Sequence, residues 1–265
     1  MKKIGELIRL LEVCAEDSSR KEWARSRRIY ENRKFSEGKS MMKNITSNDI
    51  ANGSFIIPDG VTEIRDFAFE DCTSLESVII PEGVKKIGDS AFDGCTGLKK
   101  ITLPKSITEI GAGAFDYCTS LKKIIIPAGV NEIREHAFDG CTSLSNITLP
   151  AGLKKIGNRS FDGCKSLKKI TLPKSITEIG AGAFSECIRL ENITLPDGVT
   201  KIGDYAFYEC TSLESVIIPA GVNEIGNWVF YGCGSLKKVF LPKKVKLGFS
   251  VFDGCHPDLE IEYRG

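Results

Sequence analysis

The chain has 265 residues, 36 Lys and Arg against 35 Asp and Glu, and a formal net charge of +1. A balance this close to zero gives no global pull toward nucleic acid or an anionic membrane. Hydrophobic residues make up 42%, which excludes wholesale disorder, and only two histidines, His136 and His256, leave little material for His-based catalysis or a multi-His metal site.

Residues 1–35 read as a helical segment. Ile4, Leu7, Ile8 and Leu11 share one face of a helix over 3–14, and 17–34 read as a second, charged helix. Glu6, Arg9 and Glu12 break the apolar run of roughly 7–15 residues that a secretory signal needs. No stretch of about 18 apolar residues exists, so no membrane insertion is expected. Arg20, Lys21, Arg25, Arg27, Arg28, Arg33 and Lys34 crowd together, but acidic residues interleave. A solvated helix face is therefore expected rather than a nucleic-acid arm. The polar stretch 36–54 reads as a linker.

From residue 55 to 265 the chain repeats. Prolines fall at 58, 81, 104, 127, 150, 173, 196, 219 and 242, each 23 residues after the last. Cysteines fall at 72, 95, 118, 141, 164, 187, 210 and 233 with the same spacing, and Cys255 follows one residue early. In the unit 81–103, Leu98 to Leu103 ends in the alternation of a short strand, and Pro104 stops it because proline cannot donate to a ladder. Ala91, Phe92 and Cys95 have the spacing of one helical or 3-10 turn. One unit cannot bury its own apolar face, whereas stacked units can, which predicts a solenoid with parallel strands and right-handed crossovers. Phe55 and Ile57 occupy the positions of Val78 and Ile80, so a half-unit strand precedes Pro58. Glu260-Ile-Glu-Tyr263 closes the chain as a charged edge. Residues 104–115 recur unchanged at 173–184, three units on, which suggests duplication of a three-unit block.

The pattern LxxIxLPxxVxxIGxxAFxxCxSL, from residue 58 to about 255, resembles the BspA-type (Treponema-type) leucine-rich repeat. The resemblance implies an α/β repeat: a leucine-rich-repeat solenoid with a parallel concave β-sheet, short helical or 3-10 turns and a binding or adhesion role. The family is often found at the cell surface or secreted, whereas this chain as written reads as cytoplasmic.

The cysteine column has no CxxC pair, and parallel side chains suit a disulfide poorly, so buried free thiols are expected. Cys14 stands apart on the helix edge. Asp93, Asp116, Asp139 and Asp162 follow the Phe in four units and read as solvated turn residues, since the glycine-rich calcium repeat is missing. His136 reads as exposed, and neither histidine has a nucleophile placed by the pattern, so no enzyme, metal or cofactor is expected. The outward strand positions are the candidate partner surface. They are Ser77 and Ile79, Lys100 and Thr102, Lys123 and Ile125, Asn146 and Thr148, Lys169 and Thr171, Asn192 and Thr194, Ser215 and Ile217, and Lys238 and Phe240. Tyr205, Tyr208, Trp228 and Tyr231 share turn positions of neighbouring units and form a second candidate patch. The expected partner is a protein, with a glycan as the alternative ligand. A second functional reading is an intracellular scaffold that recruits its partner through the helix at 3–14.

Overall fold

The computed structural model describes residues 45, 46, 49, 50 and 52–264. The expected helices over 3–14 and 17–34, and Cys14, lie outside them. From Ser54 onward the chain is a parallel β-solenoid of about nine turns. The longer strands are Ser54–Ile56, Ser77–Ile79, Lys100–Thr102, Lys123–Ile125, Asn146–Thr148, Lys169–Thr171, Asn192–Thr194, Ser215–Ile217, Lys238–Pro242 and Glu260–Arg264. In each of the first eight the central Phe, Val or Ile is buried, which fixes the register at one repeat length: Ser54 faces Ser77, and Val78 faces Ile101. The ladder is interrupted after Lys100–Thr102 and again after Asn146–Thr148.

Each repeat also carries a two-residue strand that pairs with its equivalents, as at Glu63–Ile64, Lys86–Ile87 and Glu109–Ile110. This second parallel ladder was not expected. Its inward Ile is buried and its outward residue is Lys or Glu.

The expected helical turns are a correction: no helix forms among the described residues, so the fold is a β-solenoid rather than an α/β repeat. The reason lies in two backbone positions of every unit, one two residues before the Phe and one two residues after it. Both are left-handed throughout, as at Ser90 (φ 50°) and Gly94 (φ 67°), or His136 (φ 54°) and Gly140 (φ 63°). A right-handed helix cannot pass through left-handed residues. Alternate N–H groups turn sideways instead: those of Ser90, Phe92 and Gly94 donate to the carbonyls of Ala112, Ala114 and Asp116 at 2.8–2.9 Å. The turns thus form a third lateral ladder.

Two columns fill the core. Phe69, Phe92, Phe115, Phe138, Phe161, Phe184, Phe207 and Phe230 stack face to face with centroids 4.9–5.5 Å apart. Beside them the described cysteines are free, and all of these are buried except the half-buried Cys255. The thiols also make hydrogen bonds. Cys95 donates to the Phe69 carbonyl at 3.0 Å, Cys141 to Phe115 at 3.1 Å and Cys255 to Phe230 at 3.1 Å, each reaching back into the preceding unit. Burial pushes the Cys72 and Cys255 thiols up to about 11 and those between them higher still. These thiols are therefore poor nucleophiles.

Ile45 begins the stack. Its N–H donates to the Ala68 carbonyl at 2.6 Å and its carbonyl accepts the Cys72 thiol at 3.4 Å, so it holds the place of a Phe in a preceding unit. Ile45 and Ser54 fall within the stretch read as a linker, and both are part of the solenoid.

Candidate functional site: the two ladder faces and the turn side

The candidate strand residues all flank a buried Val or Ile and point away from the core. Lys100, Lys123, Lys169, Asn146, Asn192, Thr102, Thr148, Thr171 and Thr194 are exposed, and Ser77 and Ser215 are half-buried. Ile79, Ile125 and Ile217 are 43%, 55% and 53% exposed, high values for isoleucine. Among the described residues, Lys100, Lys123 and Lys169 make no ion pair. A shallow depression of about 450 Å³ lies beside Ser77, Ile79, Lys100, Thr102 and Pro104.

The last strand closes one end of this surface. The Arg264 guanidinium lies 3.3 Å from the Phe240 ring centroid, and Lys238 Nζ lies 5.2 Å from it. Lys238 also pairs with Glu262 at 2.7 Å. Phe240 and Lys238 therefore have partners within the chain, whereas among the described residues Lys100, Lys123 and Lys169 make no ion pair.

The two-residue strands present a different surface. Their outward residues run Glu63, Lys86, Glu109, Glu132, Lys155, Glu178, Lys201, Glu224 and Lys246. Neighbours of opposite sign pair along the stack: Glu63 with Lys86 at 3.5 Å, Glu132 with Lys155 at 3.6 Å, Glu178 with Lys201 at 3.1 Å. Where two carboxylates meet, at Glu109 and Glu132, Arg134 pairs with Glu109 at 3.1 Å. The sequence carries this signal, since the residue before each Ile or Leu changes sign from unit to unit except between Glu109 and Glu132.

The acidic column is a second correction. Asp139 and Asp162 are buried, and Asp116 is half-buried with its Oδ1 unpartnered. They were expected to be solvated, but stacking places each carboxylate between its equivalents above and below. Burial, then the charges of Asp139 and Asp93, push Asp116 up to about 7. At the far end of the column side chains from the turns intervene: His136 Nδ1 lies 2.9 Å from Asp139 Oδ2, and Arg159 pairs with Asp162 at 2.8 Å. Among the described residues no group of His, Cys, Asp and Glu is arranged to hold a metal ion. His256 Nδ1 accepts the Asp258 N–H at 3.1 Å, and neither histidine is bonded to a Ser or Cys.

The aromatic patch is assembled as the repeat implies. Tyr205 stacks on Trp228 at 5.1 Å and 11°, and Tyr208 on Tyr231 at 5.3 Å and 5°. The two tyrosines meet at 63°. Tyr205 is exposed and the other three are half-buried.

A solenoid of stacked 23-residue units with Pro, Phe and Cys columns defines a leucine-rich-repeat protein. The BspA type leucine rich repeat region, in six copies, matches residues 40–164 and 131–257, and the chain belongs to that family. A leucine-rich repeat protein from Bacteroides ovatus is 39% identical, covers 79% of this chain and superposes with a TM-score of 0.73. This chain spans 55% of that protein's length. A leucine-rich repeat protein from Eubacterium ventriosum shares the fold at 22% identity and a TM-score of 0.56, over 85% of this chain and 72% of that one. The leucine-rich repeat protein of T. pallidum is 35% identical over 78% of each chain, with a TM-score of 0.42. No curated protein matches the chain.

Proposed function

We propose that this chain is a non-catalytic binding module, of adhesion or scaffold type, whose longer-strand face takes a protein partner. In this reading the coil is right-handed and that face is its concave side, the usual binding surface of solenoids. One observation carries it: the two ladders share one backbone architecture, yet among the described residues Lys100, Lys123 and Lys169 of the longer strands make no ion pair, whereas most of the charged residues on the other ladder are paired with one another. Exposed Ile79, Ile125 and Ile217 supply apolar contact, and Lys100, Lys123 and Lys169 supply cations not committed to ion pairs. That mixture is what a protein interface uses, with apolar groups at its centre and polar groups around them.

A photo-crosslinking residue placed at Thr148 should capture a discrete partner, while the same residue at Lys155 captures none. Lys100→Glu, Lys123→Glu and Lys169→Glu together should abolish capture and leave the melting temperature within about 3 °C, because exposed substitutions cost little. Equal capture from both positions would sink the assignment of the face. Capture undiminished by the triple variant would do the same.

A further inference from the structure

A second interaction surface lies at the end of the longer-strand ladder. Glu260–Arg264 pairs with Lys238–Pro242 along one edge, and among the described residues no strand pairs with its other edge. This strand departs from the repeat. Arg264 stands in register with Pro242, and Glu260 and Glu262 are the only acidic residues at outward positions of the longer strands. Its inward positions are apolar yet open. Ile261 and Tyr263 lie in register with the buried Val239 and Leu241 but are 38% and 56% exposed. Leu247 and Phe249, on the same last turn, are exposed as well.

The free edge carries a defined set of bonding groups. The Glu260 N–H donates to the Lys237 carbonyl at 2.8 Å, and the Arg264 carbonyl accepts the Lys243 N–H at 3.3 Å. Residues 260, 262 and 264 therefore turn their backbone groups toward the ladder. The alternation of a strand leaves those of Ile261 and Tyr263 facing away from it.

We propose that this edge pairs antiparallel with the same edge of a second copy of the chain, about a two-fold axis at Glu262. Read in reverse, Glu-Ile-Glu-Tyr-Arg is complementary to itself. Ile261 faces Tyr263 of the second copy, and their outward N–H and C=O groups exchange both hydrogen bonds. Symmetry supplies the same pair again. Glu260 faces Arg264 of the second copy, in the more closely spaced kind of pair. Arg264 lies over the Phe240 ring, which leaves the edge of its planar guanidinium free to donate. Glu262 meets its own symmetry mate, but each is already paired with Lys238 at 2.7 Å, which offsets their repulsion. A charged edge blunts pairing with strands in general. Here the charges are of opposite sign on either side of Glu262, so the edge admits a copy of itself. Such an isologous contact closes at two copies. It covers Ile261 and Tyr263, doubles the longer-strand face and leaves Lys100, Lys123 and Lys169 open.

The test is sedimentation velocity on the full chain across the micromolar range, where the mass should rise to that of two copies. Glu260→Arg and Arg264→Glu should each weaken the dimer at least tenfold, because each turns two symmetry-related attractions into repulsions. An equimolar mixture of the two variants should dimerise again. In the mixed pair the new Arg faces the new Glu, and the two native charges face each other. Amide hydrogen exchange on the parent chain gives a second reading. The Ile261 and Tyr263 amides should slow as concentration rises, and the Glu262 amide, turned toward the ladder, should not change. In both variants a slow Glu262 amide shows that the strand is in place. A monomer throughout would overturn the proposal, and is the result expected if residues 1–44 cover this edge instead. Growth beyond two copies would overturn it too, as would a dimer indifferent to both substitutions or a mixture that stays monomeric.

Discussion

The two strand ladders differ far more in chemistry than in backbone. Along the two-residue strands a Lys such as Lys86 or Lys155 sits between two carboxylates, within 3.5–3.8 Å of both. Along the longer strands the outward positions hold no acidic residue from Ser54 to Phe240. The first ladder satisfies itself laterally. The alternation also disfavours slippage by one repeat, which would set like charges opposite each other. The second ladder is held in register by its buried Phe, Val and Ile, and its lateral side-chain contacts lie at its two ends, Ser54 with Ser77 at 2.9 Å and Lys238 with Glu262 at 2.7 Å, so the outward lysines between them are free for another use. In a repeat protein, then, the surface open to a partner is the one whose side chains have not been spent on each other.

The largest expected effect falls on what both ladders share. Phe138 stacks between Phe115 and Phe161 at 5.4 and 5.5 Å, and it is fully buried. Phe138→Ala should remove about 3–5 kcal/mol of stability in a urea titration, because the column leaves a cavity it cannot close. Hydrogen exchange should rise in both ladders of units 123–171 together, since neighbouring units are coupled through the core. Loss of protection in one ladder only would show that the faces do not depend on a common column.

The acidic column gives a smaller effect with a defined pH window. Asp116 is raised to about 7 in the fold by burial and by Asp139 and Asp93, with His136 and the Tyr117 backbone N–H acting the other way. Between its ordinary value and 7 the folded chain binds more protons than the unfolded one, so stability falls as pH rises through that range. The contribution is fully present at low pH and absent above the folded value. Asp116→Asn keeps the shape and removes the charge. It should stabilise the chain by about 1 kcal/mol at pH 8, discounted for partial exposure, and by almost nothing at pH 4. An equal effect at both pH values would mean that Asp116 is ionised throughout.

Much of this was legible in the sequence because repeat spacing converts directly into neighbours. The Pro, Cys and Phe columns, the parallel register and the meeting of Tyr205 with Trp228 all follow from a shift of 23 residues. What escaped depends on backbone conformation and on contacts within a unit. A two-residue strand is too short to show alternation. Several left-handed turn positions hold glycine, but others are filled by Ser90, Arg159, Glu186 and Trp228, residues whose identity gives no warning of positive φ. Asp-Gly after a Phe looks like an exposed turn, and only the stacking of turns on turns buries Asp139 and Asp162. The cover that Arg264 gives Phe240 comes from the terminal strand and has no equivalent in the repeat.

The smallest effect sharpens the contrast between the faces most directly. Lys155 lies 3.6 Å from Glu132 and 3.8 Å from Glu178, with its side chain about 43% exposed. Exposed pairs of this kind contribute at most about 1 kcal/mol. Lys155→Ala should therefore cost about 0.5 kcal/mol at low salt. In about 1 M salt, where the screening length falls to about 3 Å, the cost should vanish. Partner capture from Thr148 should not change, because Lys155 stands on the self-paired ladder. A substitution at Lys100 should behave in the opposite way, with no salt-dependent loss of stability and weaker capture. If Lys155→Ala weakened capture and Lys100→Ala did not, the two faces would have to exchange roles. If both substitutions cost the same stability, Lys100 would have a lateral partner after all, and the distinction between a spent ladder and an open one would fail.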